Sequence, residues 1–286
     1  MPEFLGAHMS IAGGYYKAVE AAAACDMNCV QLFTKNNNQW RAKPITDDDV
    51  AAFREALEKT GVRRTISHAS YLINMGSPEE GLRNQSIEAM VVELARATQL
   101  GIPHVVVHPG SYTTSTEEEG IARIAESLNE VHRQADPDGA MVLLENTAGQ
   151  GSNLGWRFEQ LAAMIDQVAD PDRIGICFDT CHAHAAGYDM RTPETYEATM
   201  KELKAKVGLK RVLAFHLNDS KGDLGSRKDR HEHIGQGSLG LEPFRHLLND
   251  KRFRRIPMYL ETPKGDHEET TWDDINLATL RGLIDG

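Results

Sequence analysis

The chain has 286 residues, 41% of them hydrophobic and 26% charged, with a formal net charge of −11 at pH 7. That apolar content suits one large core, so a single domain over residues 1–286 is the expectation. No run of about 18 apolar residues occurs and no basic stretch followed by an apolar one opens the chain, which argues against a membrane span or export signal and for a cytoplasmic protein.

The first apolar run, FLGAH, ends at His8, and CVQLF ends at Phe33. Thr46, followed by Asp47, Asp48 and Asp49, then offers an N-cap and an acidic first turn to a helix through AAFREALEK, which Gly61 stops. TISH ends at His68. Pro78-Glu79-Glu80 opens a further helix before HVVVH, which ends at His108, and Thr116 with Glu117, Glu118 and Glu119 opens another before MVLLE, which ends at Glu145. ICFD ends at Asp179, Thr192-Pro193-Glu194 begins a helix, VLAFH ends at His216 and MYLE ends at Glu261. Eight short strands alternating with helices, most of them ending on a metal-liking residue, describe an α/β fold of the (β/α)8 TIM-barrel type, a size that typically takes about 250 residues, with the site at its C-terminal face. The longest irregular stretch, Asn218 to Gly240, follows the seventh strand and reads as a functional loop over that face.

His68, His108, Glu145, Asp179, His216 and Glu261 all end strands and so point toward one axial pocket. Six such donors exceed what a single tetrahedral zinc takes. Asp179 with His182, and Asp229 with His231, add two pairs; an i, i+2 pair in an extended loop directs both side chains to one side. The set suits more than one ion, up to three, and its histidines favour zinc, or a transition metal like it, over magnesium. One strand-end histidine alone is more often packed or hydrogen-bonded than a ligand, so the joint pattern carries the reading. His104, His132, His246 and His267 read as structural or solvated, and His8, His184 and His233 as residues outside the ligand set that either stand behind the ligands or touch substrate. Cys25, Cys29, Cys177 and Cys181 fit neither a zinc ribbon nor a disulfide scaffold; Cys177 reads as core and Cys181 as a poor ligand candidate. Gly235 to Gly240 matches G-x-G-x-x-G without a preceding strand and reads as a flexible loop.

Four segments resemble the signatures of the endonuclease IV family of apurinic/apyrimidinic endonucleases: HPGS at 108–111, LLENTAGQGSNLG at 143–155, GICFDTCHAHAAGYD at 175–189 and HLNDSKGDLGSRKDRHEHIGQG at 216–237. The likeness runs from GAHMSIAGG to YLETP. It implies a three-zinc, monomeric enzyme of base-excision repair that nicks DNA 5′ to an abasic site, leaving a 3′-hydroxyl and a 5′-deoxyribose phosphate, and that clears blocked 3′ ends. It also implies that His68 and His108 hold one zinc, with Glu145 bridging to a second that Asp179, His216 and Glu261 complete, while His182, Asp229 and His231 hold the third. Glu145 and Glu261 then lie nearest the nucleophile, and either suits proton transfer. The family's minor-groove wedge falls on Tyr71 and Leu72. In TKNNNQW, Asn38 stands where the family commonly has an arginine, with Arg41 close by.

A charge of −11 opposes binding to a polyanion, because Lys and Arg dominate affinity for phosphates; three Zn²⁺ ions would bring the formal sum to −5, with the whole correction at one face. Arg63-Arg64, Lys210-Arg211 and Arg254-Arg255 precede strands and belong to the far end of the barrel. Lys35, Arg41, Lys43, Lys221, Arg227, Lys228, Arg230 and Lys264 follow strands and belong to the ligand face, where Lys35, Arg230 and Asn38 join the wedge as expected DNA contacts. Two other readings compete. A divalent-metal sugar isomerase or epimerase on a xylose-isomerase-type barrel would need fewer metals and no Asp229/His231 pair, and a non-catalytic damage-binding protein would not need nine intact ligands.

Overall fold

A computed structural model describes residues 2–285. Eight parallel strands close a barrel: β1 (Leu5–His8), β2 (Cys29–Phe33), β3 (Arg64–His68), β4 (His104–Val107), β5 (Met141–Glu145), β6 (Ile174–Asp179), β7 (Val212–His216) and β8 (Met258–Leu260). Each pairs with its neighbours in sequence, and β8 closes on β1 through Leu5 opposite Met258. The expected strand ends hold, except that β4 and β8 stop at Val107 and Leu260, leaving His108 and Glu261 as the first residues beyond.

The helices are α1 (Tyr15–Ala24), α2 (Asp47–Thr60), α3 (Glu80–Leu100), α4 (Glu117–Gln134), α5 (Phe158–Asp166), α6 (Thr180–Ala186), α7 (Pro193–Lys206), α8 (Glu242–Asn249) and α9 (Trp272–Gly282). Thr46, Thr116 and Thr192 each accept a hydrogen bond from the backbone N–H three residues on, and that third residue's side chain reciprocates, so the orphan donors of α2, α4 and α7 are satisfied locally. Gly61 ends α2 in the left-handed conformation, φ 73°, which glycine takes without steric penalty. Among the described residues no helix is long and apolar enough to cross a membrane.

The period-two geometry of a strand sets the barrel interior. Cys29, Ile66, Val106, Leu143, Cys177, Ala214 and Tyr259 form, with Phe4, a buried apolar layer of their own. Two residues further along each strand the side chain again points inward, one layer nearer the C-terminal ends. Those positions are Gln31, His68, His108, Glu145, Asp179, His216 and Glu261. One alternation therefore produces both an apolar floor and a polar layer above it.

Two local features go beyond the sequence reading. The segment containing Asp179 and His182 is helical: Asp179 is the N-cap of α6, its carboxylate accepting from His182 N at 2.7 Å. The 218–240 segment contains a small antiparallel pair, Asp219–Ser220 with His231–Glu232.

Candidate metal centre

The nine expected ligands come together in three groups whose donor atoms lie within 4.8 Å of one another: His68, His108 and Glu145; Glu145, Asp179, His216 and Glu261; and His182, Asp229 and His231. Glu145 belongs to two groups and is fully buried. Its carboxylate faces His68 Nε2 at 3.3 Å, His108 Nε2 at 3.2 Å, His182 Nδ1 at 3.3 Å and His216 Nδ1 at 2.9 Å. The third group comes from α6 and the 218–240 segment, with Asp229 Oδ1 at 3.1 Å from His182 Nε2 and 3.5 Å from His231 Nε2.

Ring orientation shows that these residues fit metal ions. His68 Nδ1 lies 2.8 Å from Ala69 O, His182 Nδ1 2.9 Å from Asn146 O, and His231 Nδ1 3.1 Å from Glu261 O. His216 is turned the other way, with Nε2 2.7 Å from Gln31 Oε1. Each acceptor holds a proton on the nitrogen that bonds it, which leaves the opposite nitrogen free to offer a lone pair to the residue's own ligand group. Nε2 of His182 and of His231 are buried without a hydrogen-bond partner among the described residues.

Charge points the same way. Burial lowers the pKa of His182, but Asp179 and Asp229 outweigh it and hold the ring well above its ordinary value. His68 is likewise pulled down by burial and carried above its ordinary value by Glu145 and Glu261. Burial raises the Glu145 carboxyl, yet His216 and His108 bring it well below the usual carboxylate range. Three carboxylates, Glu145, Asp179 and Glu261, with oxygens within 4.8 Å of one another need positive charge among them, protons without metal or divalent cations in their place. Mixed imidazole and carboxylate donors suit zinc. Cys181 lies near Asp179 and His231, but burial pushes its thiol up to about 12, which argues against a thiolate ligand.

Three amides absent from the sequence reading orient the ligands. Gln31 accepts from His216 and donates through Nε2 to Glu261 Oε1 and to His8 Nδ1, the latter at 2.9 Å. Asn146 accepts from Asp179 N at 2.7 Å and returns a bond to Asp179 O at 3.0 Å. Asn218 donates to Asp179 Oδ2 at 2.6 Å and accepts from Glu261 N at 2.8 Å. His8 thus stands behind a ligand as expected, whereas His184 bonds Ser238 Oγ at 2.9 Å and His233 stacks on Trp272 at 3.8 Å. The Gly235 to Gly240 segment is anchored, not flexible: the buried Asp219 carboxylate accepts from the backbone N–H of Ser220, Gly235, Gly237 and Leu239 at 2.7, 2.9, 3.0 and 3.0 Å. A Cβ at position 237 would lie 2.4 Å from Asp219 Oδ1, so glycine is required there.

Residues 19–280 match the family described as xylose isomerase-like TIM barrel. A Trichlorobacter lovleyi protein named probable endonuclease 4 is 50% identical over 283 residues, spanning 99% of this chain and 100% of that protein. The crystal structure of endonuclease IV from Thermus thermophilus matches with a TM-score of 0.86 at 39% identity over 98% of both chains. The chain belongs to the endonuclease IV family. A D-tagatose 3-epimerase-like protein, 19% identical with a TM-score of 0.73 over 97% of this chain and 96% of its own, shares the fold alone.

In this endonuclease IV family member six of the ligand residues, His68, His108, His182, Asp229, His231 and Glu261, line a cleft of about 400 Å³ together with Tyr71 and Arg230. Tyr71 is 60% exposed, and its ring packs against those of Phe33 and His68, each with centroids 5.6 Å away. Leu72 is half-buried beside it, Asn38 is exposed, and Arg230 is exposed with Nη1 donating to Asp229 O at 2.7 Å. Lys35 is not on the surface. It is buried, 3.4 Å from Glu93 Oε1 and donating to Gln39 O at 2.7 Å, because the chain leaving β2 folds back against α3. Two more cations expected at this face are taken up by carboxylates, Lys264 by Asp273 at 2.6 Å and Lys221 by Glu232 at 3.8 Å. Arg227 lies over the Trp156 ring at 4.0 Å.

Proposed function

We propose that this chain is a zinc-dependent, single-domain, monomeric endonuclease of cytoplasmic DNA base-excision repair. It hydrolyses the phosphodiester 5′ to an abasic site, leaving a 3′-hydroxyl and a 5′-deoxyribose phosphate, and it clears blocked 3′ ends. The observation that carries this reading is the His182–Asp229–His231 group, placed beside the Glu145-linked pair of groups in one cleft. A sugar-epimerase reading accounts for the barrel but leaves that group without a role.

Zinc in such a site supplies Lewis-acid stabilisation of charge on phosphate oxygens and a nucleophile at neutral pH. The three groups would each hold one ion, the first two sharing Glu145. The two candidate catalytic carboxylates are not equivalent. Glu145 is enclosed by four histidine rings and serves to join two groups, whereas Glu261 lines the cleft and is placed to orient an incoming water and receive its proton. Gln31 keeps Glu261 turned toward that position. At the rim, Tyr71 and Leu72 fill the gap left by a nucleotide turned out of the stack. Arg230 offers the phosphate backbone a charge, and Asn38 offers it a neutral hydrogen-bonding group.

The test is incubation, without added magnesium, of a duplex carrying one abasic-site analogue, beside an undamaged control. A single nick 5′ to the lesion with a 3′-hydroxyl is expected. An uncut duplex at full metal load, with turnover of a ketose, would overturn the reading.

A further inference from the structure

Glu93 lies in the body of α3, outside the ligand groups, and is 1% exposed. A carboxylate buried that deeply is costly unless fully partnered, and every partner of Glu93 lies on two loops at the cleft. Oε2 accepts from Thr34 Oγ1 at 2.9 Å, the first residue past β2. Oε1 accepts from Ser70 N at 3.1 Å, next to Tyr71, and faces Lys35 Nζ at 3.4 Å.

From these points the loops are fastened to each other. Lys35 Nζ donates to Gln39 O at 2.7 Å and closes the turn that carries Asn38. Ser70 Oγ donates to Asn37 O at 2.6 Å and accepts from Leu72 N at 3.3 Å. Arg96, one turn along α3, holds the far end of the first loop by donating to Lys43 O at 2.7 Å. None of these bonds reaches a ligand residue. A buried ion pair is weak evidence for stability, since apolar side chains of the same volume serve as well. What this one supplies is geometry, directed at the residues flanking Asn38, Tyr71 and Leu72.

We infer that Glu93 is a positioning residue for damage recognition: one carboxylate on α3 clamps the loops after β2 and β3 into a single rigid unit, so the wedge is set before DNA arrives. The inference rests on the proposed reading of those loops as DNA contacts. Its effect falls on binding, because preorganisation lowers the ordering cost of association.

Glu93→Gln tests it, with Thr34→Val as a milder lesion that leaves the charges paired and Thr34→Ser as the conservative rescue. Loss of hydrogen bonds to a charged group should raise KM for an abasic duplex by about tenfold in Glu93→Gln. Turnover and metal content should stay near wild type, and amide exchange should quicken in both loops. Thr34→Val should shift KM in the same direction, and Thr34→Ser should restore it. A merely structural role would reduce the active fraction, lowering apparent kcat at unchanged KM, and would overturn the inference, as would unchanged exchange in both loops. Should the wild type leave the abasic duplex uncut, the nuclease reading fails and exchange alone decides: quickening in both loops upholds the clamp, and none refutes it.

Discussion

Replacing Asp219 by Asn isolates what holds the third ligand group in place. The carboxylate takes four backbone N–H groups, Oδ1 serving Ser220 and Leu239 and Oδ2 serving Gly235 and Gly237. An amide keeps one of these pairs and turns its NH2 toward the other, so two buried donors lose their acceptor. At about 1–3 kcal/mol for each unsatisfied group, the loss is roughly 2–6 kcal/mol. No barrel strand depends on these bonds, so the 218–240 segment should open locally before the barrel unfolds. That segment carries Asp229 and His231, two of the three members of one group. Metal analysis after dialysis, together with amide exchange, is the assay. Asp219→Asn should retain two metals, lose the third and exchange rapidly across the segment. Full metal content with wild-type protection would refute the reasoning.

Three further outcomes are expected. Glu261→Gln should leave thermal unfolding near wild type yet cut turnover by roughly 10²–10⁴-fold, the range for a lost general base, and steady-state cleavage near the wild-type rate would remove Glu261 from the mechanism. Gln31→Leu leaves His216 Nε2 without its acceptor and Glu261 without its donor, so zinc affinity should fall by about 10–100-fold in competition with a chelator; equal affinity would show that Gln31 orients nothing. His132 has both ring nitrogens buried and unpartnered among the described residues, and burial, aided by Arg173, holds its pKa down at about 4 against an ordinary 6.5. The unfolded chain therefore binds a proton in that window that the folded chain does not, so this stability is complete above 6.5 and is lost as pH falls toward 4. His132→Leu should consequently lose less Tm than wild type between about pH 7 and pH 5, and an equal loss would argue against the neutral buried ring.

The barrel was legible because the strands write it twice, as apolar runs and as the residues that end them. Ligand convergence followed from strand ends, but the partition into three groups came through the family resemblance and not from spacing. Gln31 escaped because attention to the last residue of CVQLF selects Phe33. Counting two residues past the apolar floor, from Cys29 to Gln31 as from Ile66 to His68, would have found it. Asp219 escaped for a different reason: its partners are backbone groups of Gly235, Gly237 and Leu239, which return from across a loop and leave only glycines as a trace. Lys35 was misplaced because position after a strand says which end of the barrel a residue occupies, and nothing about a buried carboxylate on a distant helix. His182 lies past a strand end, on the short helix that the cap at Asp179 starts, and that helix turns its ring toward the cleft.

Zinc titration of the metal-free protein, with cleavage of a duplex bearing one abasic-site analogue followed at each step, probes the three-group nuclease most directly. Nicking 5′ to the lesion should stay low while the groups sharing Glu145 fill and should rise to its plateau as the His182–Asp229–His231 group fills, at about three equivalents. Full cleavage after a single equivalent, or none once all three groups are loaded, would contradict it.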